Sequence, residues 1–249
     1  ENLVNEAALM AARKGKERVA AEDFEQGRDK ILMGIEREDV IKPEEKRVIA
    51  WHEAGHALVA LLLPEADPLE KVTIIPRGRS LGVTEQIPEE DRHNLGMAYL
   101  QARIAVMLGG RAAERAVFEE VTTGAGDDLK KATQLARRMV CQWGMSDKLG
   151  PTAFQRGEPH PFLGREMAEQ KDFSEHTARV IDEEIQRITR ELEERAMNLL
   201  QDHRDKLDRL AEALLENETL VREEIDDVLA LDSSGPGSES GEAEAASAS

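Results

Sequence analysis

Apolar side chains at Leu3, Val4, Ala7, Ala8 and Ala11 fall on one face of a 3.6-residue period, so the chain opens in a helix that Gly15 ends. A second helical pattern carrying Phe24, Ile31 and Leu32 runs to about Gly34. The charged stretch from Glu36 to Arg47, with Pro43 inside it, reads as a linker. From Arg47 to Leu63 the spacing predicts a helix, terminated by Pro64 and Pro68. Val72 to Ile75 is a short β-branched run, followed by the turn residues Pro76, Arg77 and Gly78 and by a second extended segment, Leu81 to Ile87. These are the only strands the pattern predicts. Helical spacing resumes from Leu95 to Phe118, where Gly109 and Gly110 each cost about 1 kcal/mol relative to Ala. Thr122 to Gly126 forms a loop, and Asp127 or Asp128 opens a further helix that reaches about Trp143.

Gly144 to Phe173 is rich in Gly and Pro and reads as a long loop, a type of segment that often carries function. Ser174 then caps a long helix with apolar positions Ile181, Ile185, Ile188, Leu192 and Leu199, and a helix-turn-helix continues through Leu207, Leu210, Leu214, Thr219, Ile225 and Leu229. That stripe suits a partner helix or packing on its own domain; fewer than three clean heptads favours packing. Residues 233 to 249 are mostly Ser, Gly, Ala and Glu, too poor in apolar surface to order, and are expected to be a disordered tail. The expected fold class is mainly α, with a small β edge and long C-terminal helices.

Charge narrows the function classes. The 33 Lys and Arg against 51 Asp and Glu leave a net charge of -18 with no basic run, which disfavours nucleic acid and anionic membrane surfaces as partners. A 40% apolar content supports a core, and the scarcity of aromatic residues makes that core aliphatic. Cys141, the single cysteine, excludes an intrachain disulfide and a multi-cysteine zinc site, fits a reducing compartment, and is expected to be a small buried hydrophobe. No stretch approaches the roughly 18 consecutive apolar residues of a spanning helix, and the N-terminus has neither the basic start nor the apolar core of a leader. A helix that begins without a cap or Met suggests a piece of a longer chain.

One motif carries chemistry: His52, Glu53, Ala54, Gly55 and His56, inside the third expected helix. A spacing of four puts both imidazoles on one face, a turn apart, as two nitrogen ligands of one Zn2+ require. Zinc held there would acidify water, and Glu53, beside the first ligand, is placed to take the proton and return it to a leaving amine. Six histidines and 51 acidic residues in 249 positions give about 0.03 chance occurrences of the pattern. Gly55 adds weight, since a glycine inside a buried helix implies that something approaches the backbone closely.

A catalytic zinc needs a third protein ligand. The extended metzincin signature is excluded, because Val59 and Leu62 stand where it has Gly and His. Glu70, Glu85, Glu114, Asp127 and Asp128 are the downstream candidates, and spacing does not choose among them. Asp127 and Asp128 equally suit a helix start, as a cap and an acid that complements the macrodipole. His93, His160, His176 and His203 are isolated and read as solvent-facing.

With HEAGH inside Ile49 to Leu61, VTIIPRGRSLG from Val72, GRAAE from Gly110, TTGAGDDL from Thr122, and Ala132 with Thr133, the chain resembles the membrane-anchored AAA metalloproteases of the FtsH type. The opening NLVNEAAL with AAR resembles the last lid helices of their ATPase module. The resemblance spans residues 2 to 231 or so. It implies residues 1–37 as lid remnant, 38–232 as a helical zinc peptidase domain and 233–249 as tail. It implies His52, His56 and Asp128 as zinc ligands, Glu53 as the catalytic carboxylate, and Glu114, with Gly55, as support around them. Leu81, Gly82, Val83 and Thr84 would pair with an extended peptide through the main chain. It further implies unfolded polypeptide substrates, a homohexameric ring, and an ATPase module of the same parent chain. ATP and Mg2+ belong to that module, since no G-x-x-x-x-G-K-[ST] occurs here. The parent's membrane anchor would place the peptidase on the cytoplasmic face. The alternative is a non-catalytic helical oligomerisation module with a structural metal or none.

Overall fold

A computed structural model describes residues 2–37, 41–78, 80–87, 94–154 and 173–229. Pro43 occupies the first position of helix α3 (Pro43–Leu62), and Glu44 and Glu45 follow in its first turn. Pro needs no N–H partner there, and the acids complement the helix dipole. Every residue from Ile49 to Ala60 is buried. A helix covered all round is the centre of its domain. Around it pack α4 (Met97–Phe118) and α7 (Arg204–Asn217), where Trp51 Nε1 donates to Asp208 Oδ1 at 2.8 Å.

The crossing of α3 and α4 is set by glycine. A Cβ on Gly55 would lie 2.5 Å from both the Ala113 Cβ and the Gly109 carbonyl oxygen, and a Cβ on Gly109 would lie 2.8 Å from the Gly55 carbonyl oxygen. The glycine at 109 that weakens the helix on propensity is therefore the point where two backbones touch. Helix α5 (Gly126–Cys141) follows a single 3-10 turn at Thr123–Ala125, and α6 (Glu175–Asp202) begins at Ser174, whose Oγ accepts the Thr177 N–H at 3.2 Å. On α6 the buried stripe is Ile181, Ile185, Ile188, Leu192, Ala196 and Leu200, lying against α4 and α5. The stripe thus packs on its own domain, and Leu199 sits at its edge.

Three antiparallel strands lie beside this bundle in the order β2 (Val83–Gln86), β1 (Leu69–Thr73), β3 (Thr219–Val221), with Val72 opposite both Thr84 and Leu220. Helix α8 (Arg222–Leu229) follows β3. β2 therefore has one free edge among the described residues.

Several expectations are corrected. The linker ends earlier than expected, because the helix expected from Arg47 already starts at Pro43. A third strand stands where helical periodicity was read through Thr219; three residues are too few to show a period of two, and β1 supplies the pairing. In α1 (Asn2–Arg13) and α2 (Ala21–Met33), Leu3, Val4, Phe24, Ile31 and Leu32 are exposed, whereas Ala7, Ala11, Asp23, Gly27 and Met33 are buried. The two helices meet through small residues: a Cβ on Gly27 would come within 3.1 Å of the Ala7 nitrogen. Cys141 is half-buried at the rim of the core. The long loop is described only at its flanks, 144–154 and Phe173, and the tail at 233–249 lies outside the described residues. No described helix is long and apolar enough to cross a membrane.

Candidate metal centre

Two histidines four residues apart on α3 share a face, and each ring is fixed by an acceptor at Nδ1. His52 Nδ1 lies 2.6 Å from Glu114 Oε1, and His56 Nδ1 lies 2.6 Å from the Val106 carbonyl oxygen. A proton on each Nδ1 leaves the Nε2 lone pairs free, and those two atoms face each other at 3.0 Å. Asp128, in the first turn of α5, places Oδ2 3.5 Å from each Nε2. Three ligand atoms thus converge within 4.8 Å of one another.

These spacings fit zinc. Bonds of about 2.0–2.2 Å in a tetrahedral site separate ligand atoms by about 3.3 Å. Two neutral rings in this tautomer would turn bare nitrogens on each other, a repulsion that either a proton on His52 or a metal ion relieves.

The titration behaviour points the same way. Burial disfavours the His52 imidazolium, yet hydrogen bonds with Asp128 and Glu114 outweigh it and raise its pKa to about 10. Burial pushes Asp128 the other way, upward, but the two imidazoles overcome that and hold its carboxyl well below the usual range. Glu114 is likewise lifted by burial and brought below its ordinary value by His52 and by the Thr122 N–H at 2.6 Å. The pocket calls for positive charge among ionised carboxylates, which a divalent ion would supply.

Glu53 is buried, and desolvation pushes its pKa up while His56 and His52 pull it down. Its carboxylate accepts a hydrogen bond from Thr84 Oγ1 at 2.9 Å. Gly110 provides room for the metal-facing ring: a Cβ there would sit 2.5 Å from His52 Nε2. In front of His52 opens a cleft of about 750 Å³, walled by Val48, Ile49, Leu81, Thr123, Asp127 and Lys131 among others.

Of the five candidate acids, Asp128 reaches both imidazoles and Glu114 orients one of them. Asp127 is exposed on the cleft wall. Glu70 pairs loosely with Arg28 at 3.8 Å, and Glu85 is buried on the other side of β2 without a hydrogen-bond partner. Gly55 lies against Gly109 and Ala113 of α4. Leu81 borders the cleft ahead of β2, Gly82 lies against Glu53, and Val83 and Thr84 begin the strand. His176 is exposed, His203 holds the Leu199 carbonyl at 3.0 Å, and His93 and His160 lie outside the described residues. Sequence reasoning missed Val106, Gly110 and Thr122. Only Gly110 carried a signal, as a glycine one residue from another inside a buried helix.

The family model described as Peptidase family M41 matches residues 39–228. An ATP-dependent zinc metalloprotease FtsH from Nitrosococcus oceani is 59% identical over 227 residues, covering 91% of this chain and 36% of that protein. One from Syntrophotalea carbinolica is 55% identical over 229 residues, 92% of this chain and 35% of its own length. An ATP-dependent zinc metalloprotease FtsH 4 from Sphaerobacter thermophilus is 58% identical over 228 residues, again 92% and 35%. The chain therefore spans a little over a third of the length of these relatives.

Proposed function

The chain belongs to peptidase family M41, and from that premise we propose that it is the zinc endopeptidase part of an ATP-dependent protease. The observation that carries the reading is the convergence of His52 Nε2, His56 Nε2 and Asp128 Oδ2 at 3.0 to 3.5 Å, beside a buried carboxylate on the same helix. A zinc ion held by these three groups would supply Lewis-acid charge that acidifies water and polarises a peptide carbonyl. Glu53 accepts the proton of the attacking water and delivers it to the leaving amine nitrogen. Burial favours the protonated form that the second step requires. Glu114 and the Val106 carbonyl keep both imidazoles in the tautomer that presents Nε2.

The substrate is unfolded polypeptide. The free edge of β2 offers main-chain pairing to an extended chain, which reads no particular sequence, and it leads into the cleft through Leu81. The ATPase module, the homohexameric ring and the membrane anchor belong to the longer parent protein, with the peptidase on the cytoplasmic face. In this reading residues 1–37 are the end of the ATPase lid, which accounts for the exposed apolar side chains of α1 and α2.

Metal analysis of purified Asp128→Ala beside the wild type tests the ligand set. One zinc per chain is expected in the wild type and substoichiometric zinc in the variant; stoichiometric zinc in Asp128→Ala would overturn it. Glu53→Gln is expected to keep the metal and lose hydrolysis of unfolded casein.

A further inference from the structure

Glu53 and the strand beside it are matched atom by atom. Thr84 Oγ1 donates to Glu53 Oε2 at 2.9 Å and lies 3.4 Å from the Glu53 carbonyl oxygen. Two residues earlier, a Cβ on Gly82 would fall 2.6 Å from both Cγ and Oε1 of Glu53 and 2.8 Å from its Cδ. The main chain entering β2 therefore lies flat against the carboxylate, and a side chain at 82 would displace it. Among the described residues Thr84 is the sole hydrogen-bond partner of that carboxylate. Residues two apart on an extended chain point the same way, so 82 and 84 address Glu53 together while Glu85 faces away.

We propose that Gly82 and Thr84 are positioning residues for Glu53: the hydroxyl fixes one carboxylate oxygen, and the missing side chain at 82 leaves space for the other. This rests on Glu53 acting as the base. A glutamate has three rotatable bonds, and a carboxylate free to swing spends most of its time out of reach of the reacting water. One hydrogen bond and a backbone wall select a single rotamer before substrate arrives. The same strand carries the free edge along which a peptide would pair, so one element sets both the peptide and the base.

Thr84→Val removes the hydroxyl at nearly constant volume, Thr84→Ser keeps it, and Gly82→Ala pushes a methyl group into the carboxylate. With unfolded casein as substrate, Thr84→Val is expected to lower kcat by about 10- to 100-fold with KM within about twofold. Thr84→Ser should restore kcat to within a few-fold, and Gly82→Ala should lose kcat as Thr84→Val does. Zinc content should match wild type in all three. A crystal structure of metal-free Thr84→Val, which needs no turnover, should show the Glu53 carboxylate spread over more than one position. Wild-type kcat in Thr84→Val, a loss appearing wholly in KM, no rescue by Ser, or a single unchanged Glu53 rotamer in that crystal would each overturn the proposal. Activity surviving Glu53→Gln would instead strike the base assignment, so the two failures are separable.

Discussion

Glu114 Oε1 lies 2.6 Å from His52 Nδ1, while its other oxygen takes the Thr122 N–H at 2.6 Å, so one buried carboxylate ties a ligand ring on α3 to the loop that leads to Asp128. Glu114→Gln replaces one of those acceptors with an NH2 group. Either His52 or the Thr122 amide then faces a donor, and the charge that opposes the metal's own is gone. Zinc affinity is expected to fall about 10- to 100-fold, measured by competition with a chromogenic chelator. Equal affinity in the two proteins would show that Glu114 does not support the site.

Gly55 and Gly126 are both helical glycines and should respond oppositely to alanine. At Gly55 the new methyl carbon meets Ala113 Cβ and the Gly109 carbonyl at 2.5 Å, and neither belongs to a flexible side chain. Helices α3 and α4 must separate, at a cost of about 1–3 kcal/mol or more. At Gly126 nothing lies within 4 Å, and the backbone is already helical at φ -63 and ψ -40. Gly126→Ala should stabilise by about 0.4–1 kcal/mol, through a less flexible unfolded chain. Urea denaturation of both variants decides this, and a stable Gly55→Ala protein would show that the crossing is not set by backbone contact.

How much of this was legible beforehand follows from the range of each signal. The HEAGH spacing is local, so the imidazole pair and its helix could be read from five residues. Ser174 as a cap is equally local. The third ligand lies 72 positions beyond His56, and no periodicity connects Asp128 to α3. From the residues alone it was indistinguishable from a helix-start acid, which it also is. Strand β3 was hidden because its three residues gain their conformation from β1 and not from their own pattern. The apolar residues read in α2 mark no buried face. Hydrophobic side chains mark a surface to be covered, and Phe24, Ile31 and Leu32 find no cover among the described residues.

Glu85 gives a pH dependence of unusual sign for an acid. Both its oxygens are buried without a hydrogen bond, and Lys71, its cross-strand partner, turns its ammonium to Asp29 at 2.8 Å. Burial raises the Glu85 pKa above its ordinary 4.5, with Asp29 and Glu70 adding to the rise against Arg28 and Lys71. A folded-state value above the unfolded one means that ionisation favours unfolding. The wild type should lose stability as pH climbs from 4.5 through the raised pKa, whereas Glu85→Gln, with no proton to lose there, should not. The melting temperatures should agree near pH 4 and separate by pH 7 to 8 in favour of the variant. A variant less stable than wild type at pH 8 would show that the carboxylate has a partner in solution.

Glu184 shows the opposite sign. Fully buried on α6, it accepts Ser146 Oγ at 2.8 Å and both Arg187 Nε and Nη2 at 3.0 Å, with Lys148 Nζ at 3.2 Å. Arg187 is the largest influence, working against desolvation with Ser146 and Lys148, and the pKa drops to about 2. The stabilisation is present above the ordinary 4.5 and is lost as pH falls towards 2. Because Ser146 and Lys148 lie just after α5 while Glu184 is on α6, the carboxylate fastens the start of the 144–154 segment to the bundle. Glu184→Ala leaves the buried Ser146 hydroxyl without its acceptor, which should cost about 1–3 kcal/mol at pH 7. That deficit should shrink as pH is lowered below 4.5, because the wild type is then losing the same interaction. Hydrogen exchange at the Leu149 and Gly150 amides should quicken in the variant; their donors bond to Ser146 Oγ and the Ser146 carbonyl. Unchanged exchange with lowered global stability would place the effect in α6 alone and refute the fastening role.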